Sequence, residues 1–306
     1  MPKITRREAI RVLGTASAGA WVAVHSKLSL ALGPKPRSQS TKSEQTPPLA
    51  PGAPTSPERI ALIEEFKRQS DGLQNKYEAR SYKGEFTMPY RLFRPEASGK
   101  LPLVVYLHGS GGLGNDNQKQ LGLGNIFGTR IWLLPENQKK FPCYVVVPQT
   151  DRGWVRYDLS QEDNGRPKVL AGLGDGNRVA LQVIEALMRE FPIDIQRIYV
   201  TGQSMGGAGV WNIIAYRPHF FAAAVPCCGS ISLDDGNGSP ETAMWAFHGA
   251  ADQTVPVAIT RERIAARRKA GGQPLYTEYA GVDHEVWEWA YSEPELVKWV
   301  FAQRQS

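Results

Sequence analysis

From Glu58 onward the apolar residues gather in short unbroken runs, separated by segments in which apolar positions recur at helical spacing. The runs are LPLVVYLHG (101–109), CYVVVPQ (143–149), RIYVTG (197–202), AAAVPCCG (222–229), AMWAFHG (243–249) and LYTEYAG (275–281). A strand with one wet face alternates apolar and polar positions, so runs without alternation predict strands covered on both faces. Between them lie NRVALQVIEALMREF (177–191), a stretch opening at Met205, AITRERIAARRKAGG (258–272) and PELVKWVFAQR (294–304), all of helical character. Strand alternating with helix predicts an α/β fold, with a mostly parallel central sheet and helices on both faces. Upstream, YEARSYKGE (77–85) and MPYRLFRP (88–95) are separated by little more than a turn and predict an N-terminal antiparallel hairpin. PERIALIEEFKRQ (57–69) precedes them with helical periodicity that sets Ile60, Ile63 and Phe66 on one side.

Charge adds little to this picture once it is located. The chain of 306 residues has a net charge of +6, but nine of its 36 Lys and Arg and three of its 30 Asp and Glu lie between Met1 and Arg59. The remainder carries 27 of each sign, so no nucleic-acid partner is expected. The one basic cluster, Arg261, Arg263, Arg267, Arg268 and Lys269, reads as a solvated helix face.

The basic start has its own explanation. TRREAIR (5–11) is followed by an uncharged Ala- and Gly-rich stretch, 12–24, then Lys27 and Ser29-Leu30-Ala31. This order of charged, apolar and small residues resembles a twin-arginine export signal through Arg6-Arg7, with cleavage expected after Ala31. The apolar stretch falls short of the roughly 20 residues that span a bilayer, so stable membrane insertion is not expected. Residues 32–57 are rich in Pro with almost nothing apolar to bury, which predicts a disordered linker before a single domain over 58–306.

Chemistry concentrates in the segments that follow strands, where open α/β sheets place their ligands. In VTGQSMGGAG (200–209), Ser204 stands between Gly202 and Gly206 at a strand-to-helix turn; such an elbow lifts the hydroxyl above the sheet and leaves no room for neighbouring Cβ atoms. A serine hydroxyl needs a base. Of the five histidines, His25 lies in the export signal, His108 and His248 precede glycines at strand ends, and His219 sits in the YRPHFF turn. His284, in GVDHEVW after the last strand, is the base expected from chain position. The orienting carboxylate is expected between the two, after another strand, at Asp252 in AFHGAADQTVP. Asp234 and Asp235 lie in a polar Gly-rich loop, and Asp283 adjoins the base too closely to buttress it. LHGSGGLG (107–114) follows another strand and lacks the Gly-Lys-Ser/Thr ending of a phosphate loop. Its Ser110 N–H, with that of Met205, is expected to receive a developing oxyanion. Cys143, Cys227 and Cys228 read as small buried residues near strand ends. The long segment 151–176 offers Trp154 as a substrate rim or forms a Gly-rich surface loop. Trp287 is a second rim candidate, while Trp211 belongs in the core.

With these parts in order, the sequence resembles an α/β-hydrolase, and more narrowly the secreted esterase and peptidase group related to polyhydroxybutyrate depolymerases and feruloyl esterases. PLVVYLHGSGG, VVVPQ, TGQSMGGAGVW, YRPHFFAAAVPCCG, WAFHGAADQTVPV and YAGVDHEVWEWAY carry the resemblance across 101–304. It implies the α/β-hydrolase fold, Ser204 as nucleophile, Asp252 as acid, His284 as base, Ser110 and Met205 as oxyanion donors, and neither metal nor organic cofactor.

The expectation is therefore an exported serine carboxylesterase, periplasmic or extracellular, that meets the twin-arginine translocase in transit. Its substrate is a small-molecule or polysaccharide-linked ester, hydrolysed above about pH 7, where an imidazole is neutral. A serine peptidase with the same triad, and a binding protein on a hydrolase fold that has lost catalysis, stay open.

Overall fold

A computed structural model describes residues 56–163, 166–229, 231 and 240–305. The expected export signal (1–31), residues 32–55 of the expected linker, and Asp234 and Asp235 lie outside the described residues.

The first element is helix α1 (Pro57–Ser70). Ser56 caps it, its Oγ accepting the Arg59 N–H at 3.2 Å, and Pro57 occupies the first turn, where its missing N–H costs nothing. The buried side of α1 differs from expectation. Ile63 and Phe66 face inward with Arg59, whereas Ile60 is half exposed. Arg59 takes that inward position because Tyr279, Glu293 and the Trp289 carbonyl are there to meet its guanidinium.

Strands β1 (Glu78–Lys83) and β2 (Thr87–Phe93) form the antiparallel hairpin, and β2 pairs antiparallel with β4 (Tyr144–Pro148). The rest of the sheet is parallel, comprising β3 (Leu101–Leu107), β4, β7 (Ile193–Gln203), β8 (Ala223–Cys227), β9 (Ala243–Gly249) and β10 (Leu275–Tyr279). Among the described residues the eight-stranded order is β1-β2-β4-β3-β7-β8-β9-β10. From β3 the chain runs outward to β4 and then returns to place β7 on the other side, which makes the gap beyond β3 and β7 the switch point of the sheet.

The strands without alternation are buried on both faces. All residues of β3, β4 and β8 are covered. Because successive side chains point to opposite faces, β3 feeds two cores. Val104 and Tyr106 pack with Phe66, Phe127, Trp132, Leu296 and Val300, while Leu103, Val105 and Leu107 pack with Val183, Ile184, Leu187 and Ile213. Helices α2 (Ile126–Arg130), α3 (Pro135–Lys140), α4 (Asp175–Glu190), α5 (Met205–Tyr216), α6 (Val257–Lys269), α7 (Trp287–Tyr291) and α8 (Leu296–Ala302) complete the layers with α1. Among the described residues no helix is long and apolar enough to cross a membrane.

Three expectations need correction. Segment 151–176 is neither a bare loop nor a source of an exposed Trp154, since it folds into the two-stranded hairpin β5 (Tyr157–Asp163) and β6 (Arg166–Val169). Trp154 is wholly buried; its Nε1–H donates to the His108 carbonyl at 2.9 Å and its side chain lies over Gly209, so it presents no rim. The basic run on α6 is only partly a solvated face. Arg261 is exposed and paired with Glu278, but Arg263 packs on the buried Trp211 ring and Arg267 reaches the Thr242 carbonyl. Burial lowers the Arg267 pKa to about 10. The three cysteines are buried free thiols, with burial pushing Cys143 and Cys227 up to about 12.

Candidate active site

Strand β7 ends at Gln203, and the chain turns into α5 within one residue. Ser204 makes that turn at φ 52° and ψ −120°, a left-handed conformation that costs a side chain about 1–3 kcal/mol. The surroundings hold it there. Its N–H donates to the Cys227 carbonyl at 2.9 Å, and its carbonyl accepts the Ala208 N–H at 3.0 Å. Glycine is required on either side, because a Cβ on Gly202 or Gly206 would run into the Leu107 carbonyl of the neighbouring strand. The elbow therefore exists because two glycines let β7, β3 and α5 approach backbone to backbone.

Ser204 Oγ lies 2.8 Å from His284 Nε2, and His284 Nδ1 lies 2.8 Å from Asp252 Oδ2. His284 comes from the loop between β10 and α7, and Asp252 from the loop between β9 and α6, so three separate strand ends supply the line. A carboxylate only accepts, so Nδ1 carries the hydrogen and Nε2 is left to accept from the serine hydroxyl. The Asp252 side chain is fully buried, whereas that of His284 is 16% exposed. Burial by itself would raise the Asp252 carboxyl pKa. Hydrogen bonds from His248 and His284, the charge of His284 and the Val255 N–H outweigh it and hold the group well below the ordinary carboxylate range.

That carboxylate is fully subscribed. Oδ1 accepts the Thr254 and Val255 N–H groups at 2.8 and 2.7 Å, and Oδ2 faces His248 Nε2 at 3.1 Å in addition to His284. His248, at the end of β9, is the residue the sequence reading passed over. A histidine within an apolar strand was itself a signal, because a buried polar ring must find partners. Asp283 does not touch the imidazole. Its Oδ1 accepts the N–H groups of Gln253 and His284 at 2.8 and 2.7 Å, tying the two loops together.

The loop after β3 is braced from below. Asn125 Oδ1 accepts the Gly109 N–H at 3.0 Å, and the Tyr106 hydroxyl lies within hydrogen-bond distance of Asn125 Oδ1 and Gln203 Oε1. Ser110 opens a single 3-10 turn and Met205 is the first residue of α5, positions whose N–H groups have no partner within their own helices. His108, beneath this loop, donates from Nδ1 to the Gly109 carbonyl and accepts the Thr150 N–H at Nε2. Burial lowers its pKa to about 4. His219 lies in the turn between α5 and β8, at φ 58°. Trp287 meets His284 edge to face, with ring centres 5.5 Å apart, and so borders the line of polar groups that Trp154 does not reach.

Cys228, Asp252 and His284 bring donor atoms within 4.8 Å of one another, a spacing compatible with a metal ion. The chemistry of the set fits one poorly. Asp252 and His284 Nδ1 are committed to each other, and burial raises the Cys228 thiol pKa well above its ordinary value, so it offers no thiolate.

No protein-family model matches the chain, and neither does any curated protein. Solved structures do. A thermostable esterase is 33% identical over 76% of this chain, with a TM-score of 0.67, and the chain spans 64% of that protein's length, just under two thirds. A ferulic acid esterase from Anaeromyces mucronatus, solved with ferulic acid, is 14% identical over 74% of this chain and 90% of its own, with a TM-score of 0.52. An acylaminoacyl peptidase is 16% identical over 75% of this chain and 42% of its own, with a TM-score of 0.51, and at that identity the likeness concerns the fold. With these neighbours the chain shares its fold: the described residues form an α/β-hydrolase fold around a mostly parallel eight-stranded sheet.

Proposed function

We propose that the chain is an exported serine carboxylesterase that cleaves carboxylic esters through an acyl-enzyme. The observation that carries the reading is the continuous line Ser204 Oγ, His284 Nε2, His284 Nδ1, Asp252 Oδ2, with 2.8 Å at each gap. Identity to a thermostable esterase supports the ester as substrate class.

Ser204 Oγ attacks the ester carbonyl carbon while its proton passes to His284 Nε2, and the ionised Asp252 stabilises the imidazolium without taking the proton. Charge develops on the former carbonyl oxygen, toward the Ser110 and Met205 N–H groups. Each such donor is worth about 3 kcal/mol in the barrier. As the tetrahedral species collapses, the C–O bond to the alcohol breaks and His284 returns its proton to the leaving oxygen. Water then attacks the acyl carbon, gives a proton to His284, and the acid departs as Ser204 regains its hydrogen. Every atom in the cycle comes from protein, ester or water. Trp287, at the edge of His284, borders the incoming ester. Export through Arg6-Arg7, release to the periplasm or medium, and an ester linked to a polysaccharide belong to the same proposal.

Hydrolysis of p-nitrophenyl acetate by the wild-type protein and by Ser204→Ala tests the chemistry. Loss of turnover, together with loss of fluorophosphonate labelling, is expected; retention of both in folded Ser204→Ala would overturn the assignment. Export is tested by the N-terminal mass of protein recovered outside the cytoplasm, expected to begin at Leu32. Replacing Arg6 and Arg7 by lysine is expected to leave the precursor inside.

A further inference from the structure

The environment of Asp252 contains a second histidine whose geometry matches that of the first. His248 is wholly buried at the end of β9. Its Nε2 lies 3.1 Å from Asp252 Oδ2 and 2.9 Å from the Val255 carbonyl, and its Nδ1 lies 2.9 Å from Thr260 Oγ1. Both groups facing Nε2 are acceptors without a hydrogen, so Nε2 carries the proton, and Nδ1 of the neutral ring takes the Thr260 hydroxyl hydrogen.

We propose that His248 is a positioning residue for the Ser204–His284–Asp252 line, acting through Asp252 by holding Oδ2 together with His284 and sharing its charge. The inference rests on the serine-hydrolase reading above. Its physical content is twofold. With two N–H groups on Oδ1 and His248 on Oδ2, the carboxylate cannot rotate away when His284 swings between Ser204 and a leaving group. Because His248 draws on the same oxygen, it also limits how strongly Asp252 stabilises the imidazolium, which keeps His284 willing to give its proton back. Among the described residues, the charged and titratable groups around His248 are few. Asp252 and His284 lie on one side with the Cys228 thiol near Asp252. Glu278 is its partner across the β9–β10 register, itself engaged by Arg261 and Tyr276.

The test compares wild type, His248→Leu, His248→Gln and Thr260→Val for p-nitrophenyl acetate hydrolysis across pH, with circular dichroism melts on each. Leucine removes the donor, and its expected effect is a kcat lower by about 10- to 100-fold with KM changed little. The acid limb of kcat/KM should also move up by about half a pH unit, because the unshared carboxylate holds the imidazolium more tightly. Glutamine, which presents an N–H where Nε2 was, should recover most of both. Thr260→Val removes the hydrogen that fixes the His248 tautomer and should show the same shift in smaller measure.

A folded His248→Leu with wild-type kcat and acid limb would overturn the proposal. So would a lower kcat with an unmoved limb and no recovery in glutamine, the pattern of a packing defect. Where His248→Leu does not fold, the glutamine and Thr260→Val pair decides, and wild-type kcat and pH profile in Thr260→Val count against it. Ser204→Ala, run in parallel, separates the two readings. Activity surviving there overturns the hydrolase assignment itself, whereas a dead Ser204→Ala beside unaffected His248 variants overturns only the role of His248.

Discussion

His284 and His248 sit on the same carboxylate oxygen, at 2.8 and 3.1 Å, yet their surroundings give them opposite freedoms. His284 projects from a loop with one nitrogen on Asp252, the other on Ser204 Oγ, and part of its side chain open to solvent. His248 belongs to a strand, has both nitrogens on internal groups, and reaches no solvent. One imidazole has somewhere to send a proton and the other has nowhere. A histidine's capacity for proton transfer thus follows from what its second nitrogen faces, more than from its distance to the acid.

The comparison breaks most visibly at its active side. His284→Ala or Ser204→Ala is expected to lower kcat by about 10⁴- to 10⁶-fold, and Asp252→Asn by about 10⁴-fold, while the melting temperature stays within a few degrees. Steady-state ester hydrolysis with a parallel melt checks both halves. Should His284→Ala retain a substantial rate, the freedom of the His284 ring would not be the source of proton transfer.

Next in size is the elbow that brings Ser204 to His284. Gly206→Val would drive a side chain into the Leu107 carbonyl and is expected to leave little folded protein, seen as loss of the native melt. The exposed Gly99, at φ 96° with open space around it, provides the control. A valine there strains only the local turn.

A third imidazole, buried like that of His248, sharpens the contrast through pH. His108 has a folded pKa of about 4 against 6.5 for the free group, because burial disfavours its charge. Its folded pKa is the lower one, so the stability it contributes is complete above pH 6.5 and is lost as pH falls toward 4. The unfolded chain takes up the proton first, and about 3 kcal/mol is forfeited in that window. Melts from pH 7 to 4 should fall accordingly, and more shallowly in His108→Gln. The smallest effect concerns Cys143 and Cys227, whose buried thiols with pKa about 12 should react with a disulfide reagent only on unfolding.

Much of the site was legible in the chain. Gly202 and Gly206 around Ser204 announced a close turn, and His284 and Asp252 each followed a strand in the order that three strand ends would require. Trp154 was misread and His248 passed over for a common reason. In sequence an aromatic ring within a Gly-rich segment looks exposed, and a histidine at a strand end looks incidental. Trp154 is buried because the His108 carbonyl and the bare Cα of Gly209 make a slot for it, and neither lies near it in the chain.

By itself the sequence determined the layers, the order of strand and helix, and the residues able to carry a proton or attack a carbonyl, because these depend on local periodicity and side-chain type. Only the tertiary structure decided which second histidine reaches Asp252 and which tryptophan remains beside His284. The site turns on gaps of about 3 Å, between residues 80 and 32 positions apart along the Ser204, His284 and Asp252 line and four apart for His248 and Asp252, all set by strand order and packing.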